Sequence, residues 1–220
     1  MLSSILEGLF EFLTSFNGSF YLAAYLISGI PFGYILAKYI AGVNIKKEGS
    51  GNIGATNVLR VLKAKDPKLA KKLGALTLLL DALKGAIILL IAKYMGAQPN
   101  TLYTIAVLSV LGHCYSPFLN FEGGKGVATG FGVLLVLLPI PTLIALAVWF
   151  ISAKLLKISS LSSLIALLSI LISAHLLYPK GLPGIDTFTP LYIIAFIIFY
   201  KHIPNIKRLI TKQEGAVIWL

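Results

Sequence analysis

The chain has 220 residues, of which 57% are hydrophobic and only 12% are charged. Soluble domains carry about 25% charged residues, so this composition excludes an ordinary water-soluble domain and indicates an integral membrane protein. A formal charge of +11 raises nucleic acid as a partner, but the cations sit between apolar runs, where they orient a chain in a bilayer and attract anionic, lipid-like substrates; no nucleic-acid partner is expected.

Residues 1–18 read as an amphipathic extension. Leu2, Ile5, Leu6, Leu9, Phe10, Phe12, Leu13 and Phe16 share one arc of a helix, and Ser3, Ser4, Glu7, Gly8, Glu11, Thr14 and Ser15 share the other. That division predicts a helix lying in the membrane interface, because the run is shorter than the ~20 residues needed to cross. No basic residue precedes it, which argues against a cleaved signal peptide. Asn17-Gly18 is expected to end it, and residues 19–220 to form one seven-helix domain.

The first span is predicted from Tyr21 to Ala41, with Gly29, Pro31 and Gly33 permitting close contact and freeing a carbonyl. A loop from Gly42 to about Leu73 follows and ends at Asp66-Pro67, which reads as an N-cap with proline at the first helical position. The helix it starts runs into a second span, Ala75 to Met95, where Asp81 and Lys84 are neighbours on one face and an intramembrane pair is expected. Thr101 to Leu119 is the third span. Val127 to Leu138, stopped by Pro139, is a short fourth span, and Thr142 to Leu156 a fifth. The sixth follows Ser159-Ser160-Leu161-Ser162-Ser163 and reaches about Leu177. Leu191 to Tyr200 is the seventh, before a basic tail. No internal repeat or soluble domain is apparent, and the lone Cys114 excludes an internal disulfide.

Loop charge fixes the expected orientation. Fifteen of the 19 Lys and Arg residues fall in the first loop, at Lys125, at Lys154 and Lys157, and in the tail; the opposite loops hold only Lys93 and Lys180. The positive-inside rule places the fifteen in the cytoplasm, the N-terminus outside and the C-terminus inside, which requires an odd number of spans. The fold class expected is therefore an all-α integral membrane protein with seven transmembrane helices and an N-terminal amphipathic interfacial helix.

Two polar islands interrupt this apolar chain on the cytoplasmic side. Ser50-Gly51-Asn52-Ile53-Gly54-Ala55-Thr56-Asn57-Val58-Leu59-Arg60 has no acidic residue, two glycines, four Ser/Thr/Asn side chains and a terminal arginine. It reads as too polar for core. Glycine-permitted amides, hydroxyl and amide donors and a guanidinium are the parts of an anion site. The second island, Phe121-Glu122-Gly123-Gly124-Lys125-Gly126-Val127-Ala128-Thr129, lacks the spacing and the Ser/Thr of a nucleotide-binding loop. Two such sites on one face suggest two phosphorylated substrates.

The strings SGNIGATNVLR, GHCYSPFLNFEGGKGVATG, SSLSSL and HIPNIKRL, in this order on seven spans, closely resemble the bacterial acyl-phosphate:glycerol-3-phosphate acyltransferase family over nearly all of the chain after residue 18. The resemblance implies transfer of a fatty acyl group from acyl phosphate to the 1-hydroxyl of sn-glycerol 3-phosphate, giving lysophosphatidic acid and phosphate, at the first acylation of phospholipid synthesis. It implies Ser50, Arg60, Lys125, Ser160, His202 and Asn205 as catalytic residues. Substrate phosphate would be held by Ser50, Gly51, Asn52, Gly54, Asn57, Arg60, His113, Gly123, Gly124, Lys125, Gly126 and Ser160. The family commonly has Arg-His-Arg-Glu-Asn where this chain reads Lys201-His202-Ile203-Pro204-Asn205. Pro204 lacks an amide proton and biases Ile203 away from helix, so the placement of Asn205 is in question.

An acyl phosphate carries its own leaving group, so the enzyme must mainly position an alcohol and neutralise phosphate. Direct attack by the glycerol hydroxyl is expected, with the donor's own phosphate taking the proton. The His-x4-Asp pattern of the unrelated acyl-CoA-type acyltransferases is absent. No metal cluster or cofactor fingerprint appears. His113 reads either as a proton carrier or as an interfacial cap, Ser160 either as a site residue or as an N-cap, and Glu122 as repulsive unless paired with Lys125. Expected partners are acyl phosphate, glycerol 3-phosphate and the lipid bilayer, for a monomer in the bacterial cytoplasmic (inner) membrane with its active site on the cytoplasmic face. The alternative function is a membrane transporter of a phosphorylated metabolite. That reading should show polar residues across the midplane, where only Asp81 and Lys84 lie.

Overall fold

The structure is a computed structural model that describes residues 2–215, with side chains from residue 4 onward. Leu2 and Ser3, part of the amphipathic pattern, therefore lie outside the described side chains, as do residues 216–220. The described residues form eleven α-helices and no strand. Five apolar stretches are long enough to cross a membrane: Phe16–Ala41, Pro67–Tyr94, Pro99–Leu119, Pro139–Leu156 and Ser159–Leu177. Val127–Leu137 and Thr189–Lys201 are apolar but shorter.

Helix α1 (Leu2–Thr14) ends earlier than Asn17-Gly18. The break is at Ser15, whose hydroxyl accepts from the Gly18 amide and caps α2 (Phe16–Gly29), so Asn17 and Gly18 are helical. The side chains of Ile5, Leu6, Leu9 and Phe10 are all exposed. The first span is two helices, α2 and α3 (Phe32–Ala41), divided at Ile30-Pro31. At that break the Ile30 carbonyl accepts from the Phe32 amide at 3.1 Å and from Lys84 Nζ at 2.9 Å.

The Gly42 to Leu73 region is more ordered than a loop. It contains α4 (Ala55–Lys63), which buries Asn57, Val58, Leu59 and Leu62 on one face and leaves Thr56 and Arg60 partly exposed. The first island is thus not wholly excluded from core: α4 packs with Ala37, Val43, Ile45, Ile53, Ala70 and Leu73 in a small cluster that holds the preceding loop. Helix α5 (Pro67–Tyr94) starts at Asp66, whose carboxylate accepts from the amides of Lys68 and Leu69.

On α5, Thr77, Asp81, Lys84, Ile88 and Ala92 are buried, while Leu79, Leu83, Ile87 and Leu90 are exposed. The helix therefore turns its polar face inward and its leucines outward, the arrangement a lipid solvent demands. Helices α6 (Pro99–Cys114) and α7 (Val127–Leu137) pack on it. Gly132 of α7 lies so close to Ala82 of α5, and Gly112 of α6 to Tyr25 of α2, that any side chain there would strike backbone. Helix α8 (Pro139–Leu156) begins at Pro139 rather than Thr142 and packs along α9 (Ser159–Leu177). Helix α10 (Thr189–Lys201) is longer than Leu191 to Tyr200 and leads into α11 (Ile203–Ile210).

Candidate active site

Four chain segments meet at one end of the bundle: the loop before α4, the loop before α7, the start of α9, and the junction of α10 and α11. Between them opens a cavity of about 460 Å³. Ser50, Asn52, Gly54, Asn57, Arg60, His113, Lys125, Gly126, Ser160, His202 and Asn205 all line it. Gly51 and Gly123 belong instead to an adjoining pocket of about 190 Å³, which shares Ser50, Asn52, Lys125 and Asn205 with the first and adds Lys201 and Arg208. Gly124 lines neither.

The cavity has two chemical ends. Starting from Lys125 and Ser160 at the helix starts, its walls continue along α7 to Phe131 and Leu134 and along α9 to Leu167 and Ile170, with Leu78, Leu146, Trp149 and Phe150 facing them. A group of cations therefore opens directly onto an apolar groove.

Several residues expected to bind phosphate instead build the loops. The Asn57 carboxamide is 2% exposed and committed: Oδ1 accepts from the Ser50 amide at 2.8 Å, and Nδ2 donates to the carbonyls of Ile45 (3.0 Å) and Glu48 (3.1 Å). The Gly54 amide donates to Asn52 Oδ1 and the Gly51 amide to the Glu48 carbonyl. The amides of Gly123 and Gly124 donate to the carbonyls of Cys114 and His113, so they tie the second loop to α6 rather than facing an anion. Gly124 also lies against the His113 ring, with no room for a side chain. What remains for a ligand at this loop is Lys125 and the first turn of α7, whose amides have no partner within the helix.

His113 Nδ1 is 2.9 Å from Lys84 Nζ, which also binds Asp81 at 2.8 Å; the expected Asp81–Lys84 pair is thus one part of a buried cluster reaching α2, α5 and α6. Glu122 pairs with Lys46 at 3.1 Å and not with Lys125. Pro204 sits in the first turn of α11, where no intrahelical amide bond is needed, so Ile203 stays helical and Asn205 is buried in the site wall.

Ser160 does not cap α9; its hydroxyl donates to Glu214 Oε1 at 2.8 Å. Glu214, like Lys201 and Arg208 of the adjoining pocket, is a site residue the sequence reading missed. It also accepts from Asn205 Nδ2 at 2.6 Å and Arg208 Nε at 2.6 Å. Nothing in the sequence signals this, because the contact depends on the tail reversing after α11. Burial pushes the Glu214 carboxyl up, but the hydrogen bonds from Arg208, Asn205 and Ser160 outweigh it and hold the group below its ordinary range.

Burial lowers the Lys125 ammonium to about 8, with Arg208 and Arg60 adding to the shift and Glu214 opposing it. Burial, with the Lys125 charge, lowers His202 to about 4. The His202 Nδ1–H donates to the Ile198 carbonyl at 2.7 Å, which leaves Nε2 as an acceptor. Among the described residues, no group of three His, Cys, Asp or Glu side chains is placed to hold a metal ion.

The sequence model of the glycerol-3-phosphate acyltransferase family matches residues 19–212. The glycerol-3-phosphate acyltransferase of a Nitratiruptor species is 65% identical over 151 residues, which span 69% of this chain and 72% of the relative. That of Helicobacter pylori is 52% identical over 157 residues, 71% of each chain. The crystal structure of PlsY, an integral membrane glycerol 3-phosphate acyltransferase, in its glycerol 3-phosphate form superposes with a TM-score of 0.79 at 36% identity, covering 92% of this chain and 96% of that one. A lysophosphatidic acid form superposes with a TM-score of 0.78. With a family match over most of its length and a fold shared with an integral membrane enzyme, this multi-pass membrane protein belongs to the glycerol-3-phosphate acyltransferase family.

Proposed function

We propose that the protein transfers a fatty acyl group from acyl phosphate to the 1-hydroxyl of sn-glycerol 3-phosphate, releasing phosphate and lysophosphatidic acid. The observation that carries this reading is the two-ended cavity: Arg60 and Lys125 stand where an apolar groove meets a polar pocket. A donor that is both a phosphate and a hydrocarbon fits such a junction, with its acyl chain along α7 and α9 and its anhydride beside Lys125. Glycerol 3-phosphate enters through the smaller basic pocket at Lys201 and Arg208.

In this mechanism His202 Nε2 orients the attacking hydroxyl. As the alcohol oxygen bonds to the acyl carbon, the bond from that carbon to the phosphate oxygen breaks. The electron pair leaves on phosphate, which takes the alcohol proton; His202, lowered to about 4, is too weak a base to keep it. Arg60 and Lys125 offset the phosphate charge in a site screened from water.

The unit that does this is residues 19–220 as one seven-span domain, the five long apolar stretches together with Val127–Leu137 and Thr189–Lys201. Loop charge supports an outside N-terminus, a cytoplasmic C-terminus, and an active site facing the cytoplasm from the inner membrane. Residues 1–18 lie as an extension in the interface, and the enzyme works as a monomer. The deciding assay is phosphate release by purified protein from palmitoyl phosphate, with and without glycerol 3-phosphate, beside palmitoyl-CoA. Release that depends on glycerol 3-phosphate, yields lysophosphatidic acid, and falls about 100-fold or more in Arg60→Ala supports the reading; activity with palmitoyl-CoA alone overturns the donor.

A further inference from the structure

Glu214 is an unusual group for a site that must hold two phosphates. Arg60 and Lys125 line the main cavity, and Lys201 and Arg208 the adjoining one. An anion among them repels substrate phosphate, so its presence needs a reason of its own. Structural pairing alone does not supply one, because Arg208 already stands beside a basic pocket and could serve phosphate directly.

The carboxylate is placed firmly. After α11 the chain reverses through Lys212, in the left-handed region at φ 57°, and the amides of Gln213 and Glu214 both donate to the Arg208 carbonyl at 2.7 and 3.1 Å. This turn brings Glu214 back against its own helix and across to α9. Oε1 accepts two hydrogen bonds, from Ser160 and Asn205, and is full; Oε2 accepts one, from Arg208 Nε. One acceptor position on Oε2 remains. The side chain is 6% exposed yet forms part of the cavity wall. The other carboxylate in that wall, Asp81, is bound to Lys84 within the bundle.

A buried, ionised acceptor with spare capacity recognises a hydrogen-bond donor, and the dianionic phosphate of a phosphomonoester has none. An alcohol does. Glycerol 3-phosphate presents two hydroxyls, of which the reaction uses one. Building on the acyltransferase reading, we propose that Glu214 is a specificity-determining residue that accepts a hydrogen bond from the non-reacting hydroxyl of glycerol 3-phosphate. The same carboxylate disfavours a bare phosphate in that place by charge repulsion. It thus separates the acceptor substrate from inorganic phosphate, the product of the reaction.

The test compares wild type, Glu214→Gln and Glu214→Ala. Each is assayed with palmitoyl phosphate and either glycerol 3-phosphate or 2-hydroxyethyl phosphate, which lacks the second hydroxyl, and inorganic phosphate binding is measured by calorimetry. In both variants KM for glycerol 3-phosphate should rise about tenfold or more, while KM for palmitoyl phosphate stays within about twofold. The preference for glycerol 3-phosphate over 2-hydroxyethyl phosphate should collapse, and inorganic phosphate should bind more tightly.

If both KM values and phosphate affinity worsen together, Glu214 is only a strut and the proposal fails. Should all three improve, the tail is a plug over the anion site and the proposal fails equally. A wild type that transfers no acyl group overturns the acyltransferase reading itself. Calorimetry with the two phosphomonoesters then still decides Glu214: equal discrimination by wild type and Glu214→Gln rejects it, and discrimination lost only in the variant upholds hydroxyl recognition.

Discussion

At the scale of single residues, the site divides into side chains that face the ligand and side chains that shape the loop behind them. Asn57 is the second kind. Its three hydrogen bonds close the turn that presents Ser50, and Asn57→Ala takes the partner from the Ser50 amide and the Ile45 carbonyl, while the Glu48 carbonyl keeps the Gly51 amide. A loss of about 2–4 kcal/mol in SDS-unfolding experiments is expected, with phosphate affinity falling as a consequence; an unchanged midpoint would place Asn57 back among the ligands.

Lys125 is proposed as the first kind, and its titration gives a directional test. An ammonium lowered to about 8 by burial is charged below that pH and neutral above it. If it holds donor phosphate, kcat/KM for palmitoyl phosphate is flat below about pH 8 and falls about tenfold per unit above it. Phosphate release measured from pH 6 to 10 checks this, and a flat profile to pH 10 would remove the ammonium from the reaction.

At the scale of elements, α5 holds the bundle together through a polar inner face. Lys84 binds Asp81, the His113 ring and the Ile30 carbonyl at the break between α2 and α3. Lys84→Met leaves the Asp81 charge unpaired in the bundle, with an expected cost of about 3–5 kcal/mol. Adding Asp81→Asn should recover part of that loss, so the double variant is less damaging than the two single costs summed. Full additivity in SDS-unfolding measurements would rule out the pair as the cause. Where α5 crosses α7, Gly132 against Ala82 leaves no space for a side chain. Gly132→Leu should therefore destabilise by about 1–3 kcal/mol through separation of the two helices, read as a lowered thermal midpoint in detergent.

At the scale of the whole molecule, the proposed seven-span arrangement predicts which loops face which compartment. Lys180→Cys should react with a membrane-impermeant thiol reagent in intact cells, whereas Lys207→Cys should react only after permeabilisation; the buried Cys114 gives little background. The reverse pattern would invert the orientation and move the active site to the other side. Orientation matters for function because the groove opens along helices and the polar pocket opens at their ends. In the proposed reaction a lipid-borne donor and a soluble acceptor thus approach by different routes and meet at Arg60 and Lys125.

Composition, apolar run length and loop charge already determined a helical membrane protein with cations gathered on one face, because lipid leaves the backbone few other ways to satisfy its hydrogen bonds. The proline before α8 and the Asp66-Pro67 start of α5 were equally local, and the long motifs pointed to the family. Other features were settled only in three dimensions. Ser50-Gly51-Asn52 and Gly123-Gly124 look like free donors in the sequence, yet most of their amides are used up by carbonyls that the fold brings near. The buried face of α4 was hidden because polar and apolar residues alternate within a few positions of a short helix. Pro204 looks like a helix breaker until its place in the first turn of α11 is known. Glu214 reaches Ser160 across 54 positions of chain, a meeting fixed by how α9, α11 and the tail reversal pack. A sequence records which groups are present and how often they recur; only packing decides which donors are already satisfied and which are left for a substrate.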